Sequence, residues 1–300
     1  MRNVMHILQT KGYNLQYRVN TITNELEDLF FIHPTSLKMW QTFPYAVLMD
    51  ATYKTNKYNL LFLEIVGVTS TNKTFSIAFA FIHNEKTSNY ISALTCLKLT
   101  INDSFSPRVI VTDRDLTLMK ACEDVFSQNV FDYLYTVWLG KYAERFSREP
   151  TCQTEKHLEY AKCDLDKFIH VIEKVVQSQE TAIKETFTRC IITYMPRFKD
   201  RIFEILRKRV SVHAMDKILE EFHRSKRFAL TPENCGCQLR TCFGLPCAHE
   251  LVMYVGSPIP LDSNDAFWRK LDLTSSISVE YDDLNVDNHM QSLDIYMRNI

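Results

Sequence analysis

The chain has 300 residues, 46% of them apolar, which is enough to bury the core of one large domain or of two modest ones. Its 35 Lys and Arg nearly balance its 36 Asp and Glu, and this balance excludes a global field that would draw the molecule onto nucleic acid or an anionic membrane. Any contact with nucleic acid must therefore come from a local patch.

The sequence shows no targeting signal, and this observation and the distribution of its cysteines predict a reducing compartment. The opening stretch MRNVMHILQTKGYNLQYRV has no continuous apolar core, and no run of eighteen apolar residues occurs in the sequence. We therefore expect neither a signal peptide nor a membrane span, no membrane partner, and a cytosolic or nuclear setting. Nine cysteines there do not predict a disulfide framework. Five are scattered singly and expected in the core, whereas four cluster near the carboxyl end.

Residues 45–127 have the pattern of an α/β unit. The first predicted strand, YAVLM, stops at Asp50. Over residues 45–139, apolar runs separated by polar turns predict the order βββαβαβ. The predicted strands and helices follow in chain order: adjacent antiparallel strands at 60–70 and 74–83, a helix at 87–101, a strand at 107–113 that ends on Asp113, a helix at 114–126 and a strand at 130–139.

The segment from 164 to 228 has helical periodicity, in three stretches. Between 197 and 227 it carries ten Lys or Arg against five Asp or Glu. This excess is typical of a solvated amphipathic face, and a surface that contacts phosphates is the alternative. The stretch 275–294 is acidic and polar, and we expect it to be loosely ordered.

Four cysteines and a histidine lie within the fifteen residues CGCQLRTCFGLPCAH. Zinc prefers thiolate and imidazole ligands in a tetrahedron, and four such ligands close a structural site. Cys235, Cys237, Cys247 and His249 form a C-x-C pair and a C-x-H pair, so we predict that they bind one structural Zn²⁺. Cys242 is left over, either free or beside the site. The competing interpretation is a group of buried thiols with an incidental histidine.

Asp50 and Asp113 are placed at the ends of two predicted strands. Carboxylates held together at one edge of a sheet are suited to a pair of Mg²⁺ ions in phosphoryl transfer. The alternative is that each aspartate caps a turn or a helix, and Asp113 stands where an N-cap would precede RDLTLM. Asp115 is expected to be a first-turn acid that the helix dipole favours.

Four stretches of the chain are informative together: MDATYKTNKYNLLFLEIVGVTSTNKTFSIAFAFIHNEKTSNYISALTCL, VIVTDRDLTLMKACEDVF, CGCQLRTCFGLPCAHEL and PIPLDSNDAFWRKLDL. They closely resemble Mutator-like (MULE) transposases and their domesticated relatives, which include the plant far-red-response transcription factors. The resemblance implies a ribonuclease H-like core followed by a SWIM zinc finger. It also implies a triad of acids that binds two Mg²⁺ or Mn²⁺ ions, with Asp50 as the first acid and Asp113 as the second.

The chain departs from the family pattern where the third acid belongs. Tyr135 and Trp138 stand where the family has a Cys and a His, and the long helical insertion that follows is almost wholly missing. Glu149 is the best stand-in for the third catalytic acid, with Glu144 and Glu155 as weaker competitors.

The resemblance predicts an α/β fold and a nuclear, transposase-derived zinc protein. We expect impaired catalysis and function through DNA or protein contacts, while an active DDE-type transposase is the alternative. A cytosolic protein-interaction module with no nucleic-acid role is a third interpretation. The predicted domains are an amino-terminal segment at 1–40, a truncated ribonuclease H-like core at 41–150, a helical segment at 151–228, a SWIM finger at 229–256 and an acidic tail at 257–300.

Overall fold

The computed structural model describes most of the chain in two compact units. The first unit holds the described residues up to Gly67 and from Phe75 to Gln177, and the second holds Val68–Thr74 and Ser178–Thr274. The described residues are 2–20, 22–23, 25–52, 56, 58–101, 107–112, 115–126, 165–227 and 231–274.

A six-stranded sheet with helices makes up the first unit within these ranges. Its strands are β1 (Asn14–Val19), β2 (Leu26–Ile32), β3 (Ala46–Thr52), β4 (Leu61–Val68), β5 (Thr74–Ile82) and β6 (Val109–Thr112). Its helices are α1 (Arg2–Thr10), α2 (Pro34–Thr42), α3 (Thr87–Ile101), α4 (Leu116–Val125) and the first part of α5 (Leu165–Ile192).

The sheet is mixed, with the strand order β1-β2-β5-β4-β3-β6. Strand β3 pairs antiparallel with β4 and parallel with β6. Strands β4 and β5 are buried along nearly their whole length, as expected for apolar runs that are covered on both faces. The ring of Phe168 on α5 packs 4.9 Å from that of Phe62 and 5.1 Å from that of Phe81, centroid to centroid. The predicted α/β class is confirmed.

The sequence left the first two strands unassigned. Strand β1 pairs antiparallel with β2, which pairs antiparallel with β5, so this part of the chain widens the sheet. The predicted strands and helices between 45 and 126 are found, while the last predicted strand, 130–139, lies outside the described residues. Strand β3 runs to Thr52, so the prediction that it stops at Asp50 was wrong by two residues.

Three of the scattered cysteines fall on described residues, and all three are buried as predicted: Cys96, Cys122 and Cys190. The other two, Cys152 and Cys163, lie outside the described residues. Cys122 of α4 packs under the sheet, with its Sγ 3.7 Å from Sδ of Met49 on β3.

The second unit is helical around one apolar core. Helix α5 runs on to Ile192, and α6 spans Val212–Arg227. Between them the predicted regular helix is replaced by two 3-10 turns, Pro196–Phe198 and Arg201–Phe203. A proline at the first turn and a positive φ of 64° at Lys208 break up this stretch.

Short helices complete the second unit: α7 (Pro232–Cys235), α8 (Gln238–Phe243), α9 (Ala248–Leu251) and α10 (Ala266–Arg269). Residues beyond the predicted finger boundary at 256 belong to the same core, because Ile259 and Trp268 are buried in it. The indole nitrogen of Trp268 donates to the carbonyl of Phe243 at 2.6 Å. Among the described helices, none combines the length and the apolar character that crossing a membrane requires.

Candidate metal centre

The C-x-C pair sits on a tight left-handed turn between two short helices. Cys235 is the last residue of α7, Gly236 follows with φ 72°, and Cys237 has φ 43° just before α8 begins. A cysteine with positive φ is uncommon and costs on the order of 1 kcal/mol, so such a conformation usually serves a function. Here the turn brings the two sulfurs toward the same point.

The C-x-H pair is held by the first turn of α9. Cys247 is the N-cap, and its backbone nitrogen donates to Oε2 of Glu250 at 2.9 Å in a capping box. His249 lies in the same turn, so its ring is close to the sulfur of Cys247.

The structure brings all four predicted ligands together. The ligand atoms of Cys235, Cys237, Cys247 and His249 lie within 4.8 Å of one another. Nδ1 of His249 is 3.5 Å from Sγ of Cys237 and 3.2 Å from Sγ of Cys247. Tetrahedral Zn²⁺, with bonds of about 2.3 Å to sulfur and about 2.0 Å to nitrogen, separates such atoms by about 3.5 Å. The cluster therefore has the size of a zinc coordination shell.

The ligand cluster is partly buried, so its thiolates need a positive charge nearby. Cys235 and Cys247 are buried, while Cys237 and His249 are half-buried. Burial raises the pKa of Cys247 well above its usual value. Burial opposes ionisation of Cys235 as well, but hydrogen bonds from His249, Cys237 and Cys247 together lower its pKa to about 7. Because buried thiolates need a compensating charge, a bound Zn²⁺ would replace the thiol protons.

Cys242 stands apart from the four ligands. Its sulfur is not part of the cluster, and the side chain lies half-buried on α8 with Sγ 3.8 Å from Oγ1 of Thr241. The structure thus separates this cysteine from the ligand set, in the way the spacing suggested.

Sequence reasoning missed an ion pair that braces the C-x-H turn. Nε of Arg240 lies 3.0 and 3.1 Å from the two carboxylate oxygens of Glu250, and Nη1 donates to the carbonyl of Ser263 at 2.8 Å. Burial raises the pKa of Glu250, but Arg240 and the backbone nitrogen of Cys247 lower it overall. A glutamate three residues after the N-cap is a capping-box signal, which could have revealed the bond of Glu250 to Cys247 but not its pairing with Arg240.

The second predicted metal site involves the sheet of the first unit. Asp50 is half-buried inside β3, and its cross-strand partner on β4 is Glu64. Directly paired residues project to the same face of a sheet, so the two carboxylates share a face. Glu64 is buried and accepts a hydrogen bond from Oγ of Ser76 at 2.6 Å. Glu64 was not among the predicted site residues, although a lone acid inside an apolar strand is a visible signal in the sequence.

Asp113 and Glu149 lie outside the described residues, as do Glu144 and Glu155. The described register of β3 and β6 ends with Met49 opposite Thr112, and these residues precede the two predicted aspartates in sequence.

The cap of α4 differs from both predictions. Asp115 is the N-cap, and its Oδ1 accepts hydrogen bonds from the backbone nitrogens of Thr117 and Leu118 at 2.8 and 3.3 Å. Oδ2 accepts from the hydroxyl of Tyr90 at 3.0 Å. The helix therefore begins one residue later than a first-turn Asp115 would require, and Asp113 is not its N-cap.

Fold and site together define an α/β protein with a mixed sheet and a separate Cys3His cluster of zinc-site geometry. Residues 46–133 match the family model of the MULE transposase domain. The predicted resemblance to Mutator-like transposases is confirmed over this part of the chain. The match ends before Cys235, so the SWIM type of the finger stays a prediction. No curated protein matches the chain.

Proposed function

We propose that this chain is a transposase-derived zinc-binding protein that acts in the nucleus through DNA or protein contacts and whose catalytic core is impaired. The observation that carries the proposal is the completeness of the Cys3His cluster, with four ligand atoms within 4.8 Å. A closed set of four ligands leaves no open position for chemistry, so such a zinc ion has a structural role. A stabilised finger is suited to binding.

Impaired catalysis is inferred from the sequence downstream of the second predicted acid. Tyr135 and Trp138 replace the family's Cys and His, and the stretch that would contain the third acid is abbreviated, with Glu149 as its best stand-in. Two-metal catalysis needs carboxylates that clamp both ions, because the metals must hold the attacking and the leaving oxygen in line. Losing one carboxylate weakens that clamp.

The basic segment of the second unit supports contact with DNA. Four of its cations are exposed and form no ion pair with a described residue: Lys199, Lys208, Arg209 and Arg227. Four other cations of the segment are paired with carboxylates, as Arg197 is with Asp216 at 2.7 Å. Unneutralised Lys and Arg attract phosphates, which provides the local patch that the balanced total charge requires.

An active DDE-type transposase using Mg²⁺ or Mn²⁺ is the second candidate. It is favoured by the cap of α4, because Asp115 fills the role that offered a purely structural reason for Asp113. In this case Asp50 and Asp113 would hold the divalent ions, and Glu149 would complete the set.

A cleavage and strand-transfer assay separates the two candidates. The assay supplies Mg²⁺ or Mn²⁺ and DNA that carries the terminal repeats of the transposable element from which the chain would derive. We expect the purified chain to form no more cleaved or joined DNA than its Asp50→Ala variant. The matched control is Asp28→Ala, an acid on β2 of the same sheet. Robust cleavage that Asp50→Ala abolishes and Asp28→Ala retains would establish the active transposase instead.

A further inference from the structure

The two helices that carry the zinc ligands are too short to satisfy their own ends. Helices α7 and α9 have four residues each, so the terminal N–H and C=O groups lack partners within the helix. Two of these groups lie within the ligand pairs themselves: the carbonyl of Cys235 and the backbone nitrogen of Ala248, between Cys247 and His249. Their partners influence where the ligands point.

Both groups are bound by side chains from one helix, α6. Nη2 of Arg224 donates to the carbonyl of Cys235 at 2.7 Å. Oε2 of Glu221 accepts from the backbone nitrogen of Ala248 at 2.9 Å. One side chain therefore holds the C-x-C turn, and the other holds the C-x-H turn.

The two side chains also bind each other. Nη1 of Arg224 lies 3.2 and 3.1 Å from the carboxylate oxygens of Glu221, so Oε2 of Glu221 is shared between Arg224 and Ala248. Residues three apart on a helix face the same side, and the pair thus forms one continuous bridge between the two ligand turns. Glu221 is the less exposed partner, with a side-chain exposure of 18% against 37% for Arg224.

Helix α6 is a fixed support for this bridge. Ile218 and Phe222, which flank Glu221 along the helix, are buried in the core of the second unit. Since the helix is anchored on its apolar face, its polar pair holds the ligand turns at a set distance. The finger is thereby built onto α6 and does not depend on its own fifteen residues alone.

We propose that Glu221 and Arg224 are positioning residues of the zinc site, which clamp the Cys235–Cys237 and Cys247–His249 turns at coordinating distance. The inference rests on the proposed binding of zinc by these four ligands. Outer contacts that orient metal ligands typically change metal affinity by about 10- to 100-fold when they are removed.

The test compares zinc affinity among matched variants of the whole chain. We expect Arg224→Met and Glu221→Gln each to weaken zinc binding by about 10-fold or more, measured by competition with a chelator. Arg224→Lys should recover part of the loss, because it can still donate one hydrogen bond. The controls are Arg227→Met and Glu220→Gln, exposed residues of the same helix, which should bind zinc like the original chain.

Two further measurements distinguish positioning from simple stabilisation. The absorption bands of bound Co²⁺ should shift in Arg224→Met, since they report ligand geometry, while the melting temperature of the metal-free protein should stay unchanged. The double variant should lose less than the product of the two single losses, because the pair acts as a unit.

The outcomes separate the clamp from zinc binding itself. If the original chain binds zinc and both Arg224→Met and Glu221→Gln match its affinity, the clamp is refuted while zinc binding stands. If Arg224→Met lowers the metal-free melting temperature and leaves zinc affinity unchanged, the pair is structural only. If the original chain holds no zinc, the proposed zinc function fails first.

Discussion

The two predicted metal-binding regions differ in how their ligands are spread along the chain. In the finger, four ligands lie between Cys235 and His249, and short turns gather them within 4.8 Å. In the segment that matches the transposase model, Asp50 lies on β3, and the second predicted ligand, Asp113, follows β6 in sequence. These two strands pair in parallel, and β4, β5 and α3 lie between them along the chain. Ligands on one short segment keep their geometry as long as that segment folds. Ligands on separate strands lose their geometry when a mutation or deletion changes any part of the domain that holds the strands together. This difference is one reason why we propose metal binding without catalysis.

The largest expected effect tests the local set directly. Cys247→Ser should lose its zinc, from about one ion per chain to nearly none, and should lower the melting temperature sharply, since a structural zinc contributes on the order of 10 kcal/mol. Metal analysis of protein that was purified without chelators measures this. The control Cys242→Ser removes a sulfur outside the cluster and should keep the ion. Zinc retained in Cys247→Ser would break the comparison.

A smaller effect is expected from the glycines that shape the finger. Gly236 and Gly244 both have positive φ, so alanine at either should cost about 1 kcal/mol from backbone strain. A Cβ at Gly244 would also stand 2.8 Å from Cβ of Asp265, whereas Gly236 has open space. Gly244→Ala should therefore lose about 1–3 kcal/mol more than Gly236→Ala. Chemical denaturation of the zinc-loaded proteins measures the difference in free energy of unfolding. Equal losses in the two variants would show that Asp265 moves to make room for the added methyl group.

The smallest effect concerns DNA binding by the second unit. Lys208→Gln with Arg209→Gln should weaken binding to DNA of any sequence and lower the slope of log affinity against log salt by about 2, one phosphate contact for each cation. The matched control is Lys184→Gln with Arg269→Gln, whose cations are paired with Glu180 and Asp262. Affinity that does not change with salt in the original chain would argue against phosphate contacts and for the protein-interaction module.

Strands with continuous apolar runs were predictable, while those that depend on a partner were not. The strands β4 and β5 are mostly apolar, and both were predicted. Strand β1 has a mostly half-exposed pattern without clear alternation, and it is a strand because β2 offers it a partner. The stretch 197–209 has helical periodicity, but Pro196 just before it and the positive φ at Lys208 divide it into turns.

The zinc ligands were predictable from spacing, but the residues that support them were not. Glu221 precedes Cys235 by fourteen positions in a different helix, and nothing in the sequence pairs it with the nitrogen of Ala248. Arg240 and Ser263 are similarly distant in sequence and meet only because residues 259–274 pack back onto the finger. Contacts of this kind depend on how helices pack.

By itself, the sequence determined the α/β class, the hairpin of β4 and β5, the likeness to a transposase domain and the four clustered ligands. These features rest on short-range patterns, in which neighbouring residues specify the turn or strand they form. Only the tertiary structure decided that the first strands join the sheet, that Asp115 caps α4, and that side chains of helix α6 form hydrogen bonds with both ligand turns. The physical reason is that orphan backbone groups and apolar faces find their partners by packing between elements, and that packing is not encoded in the spacing of adjacent residues.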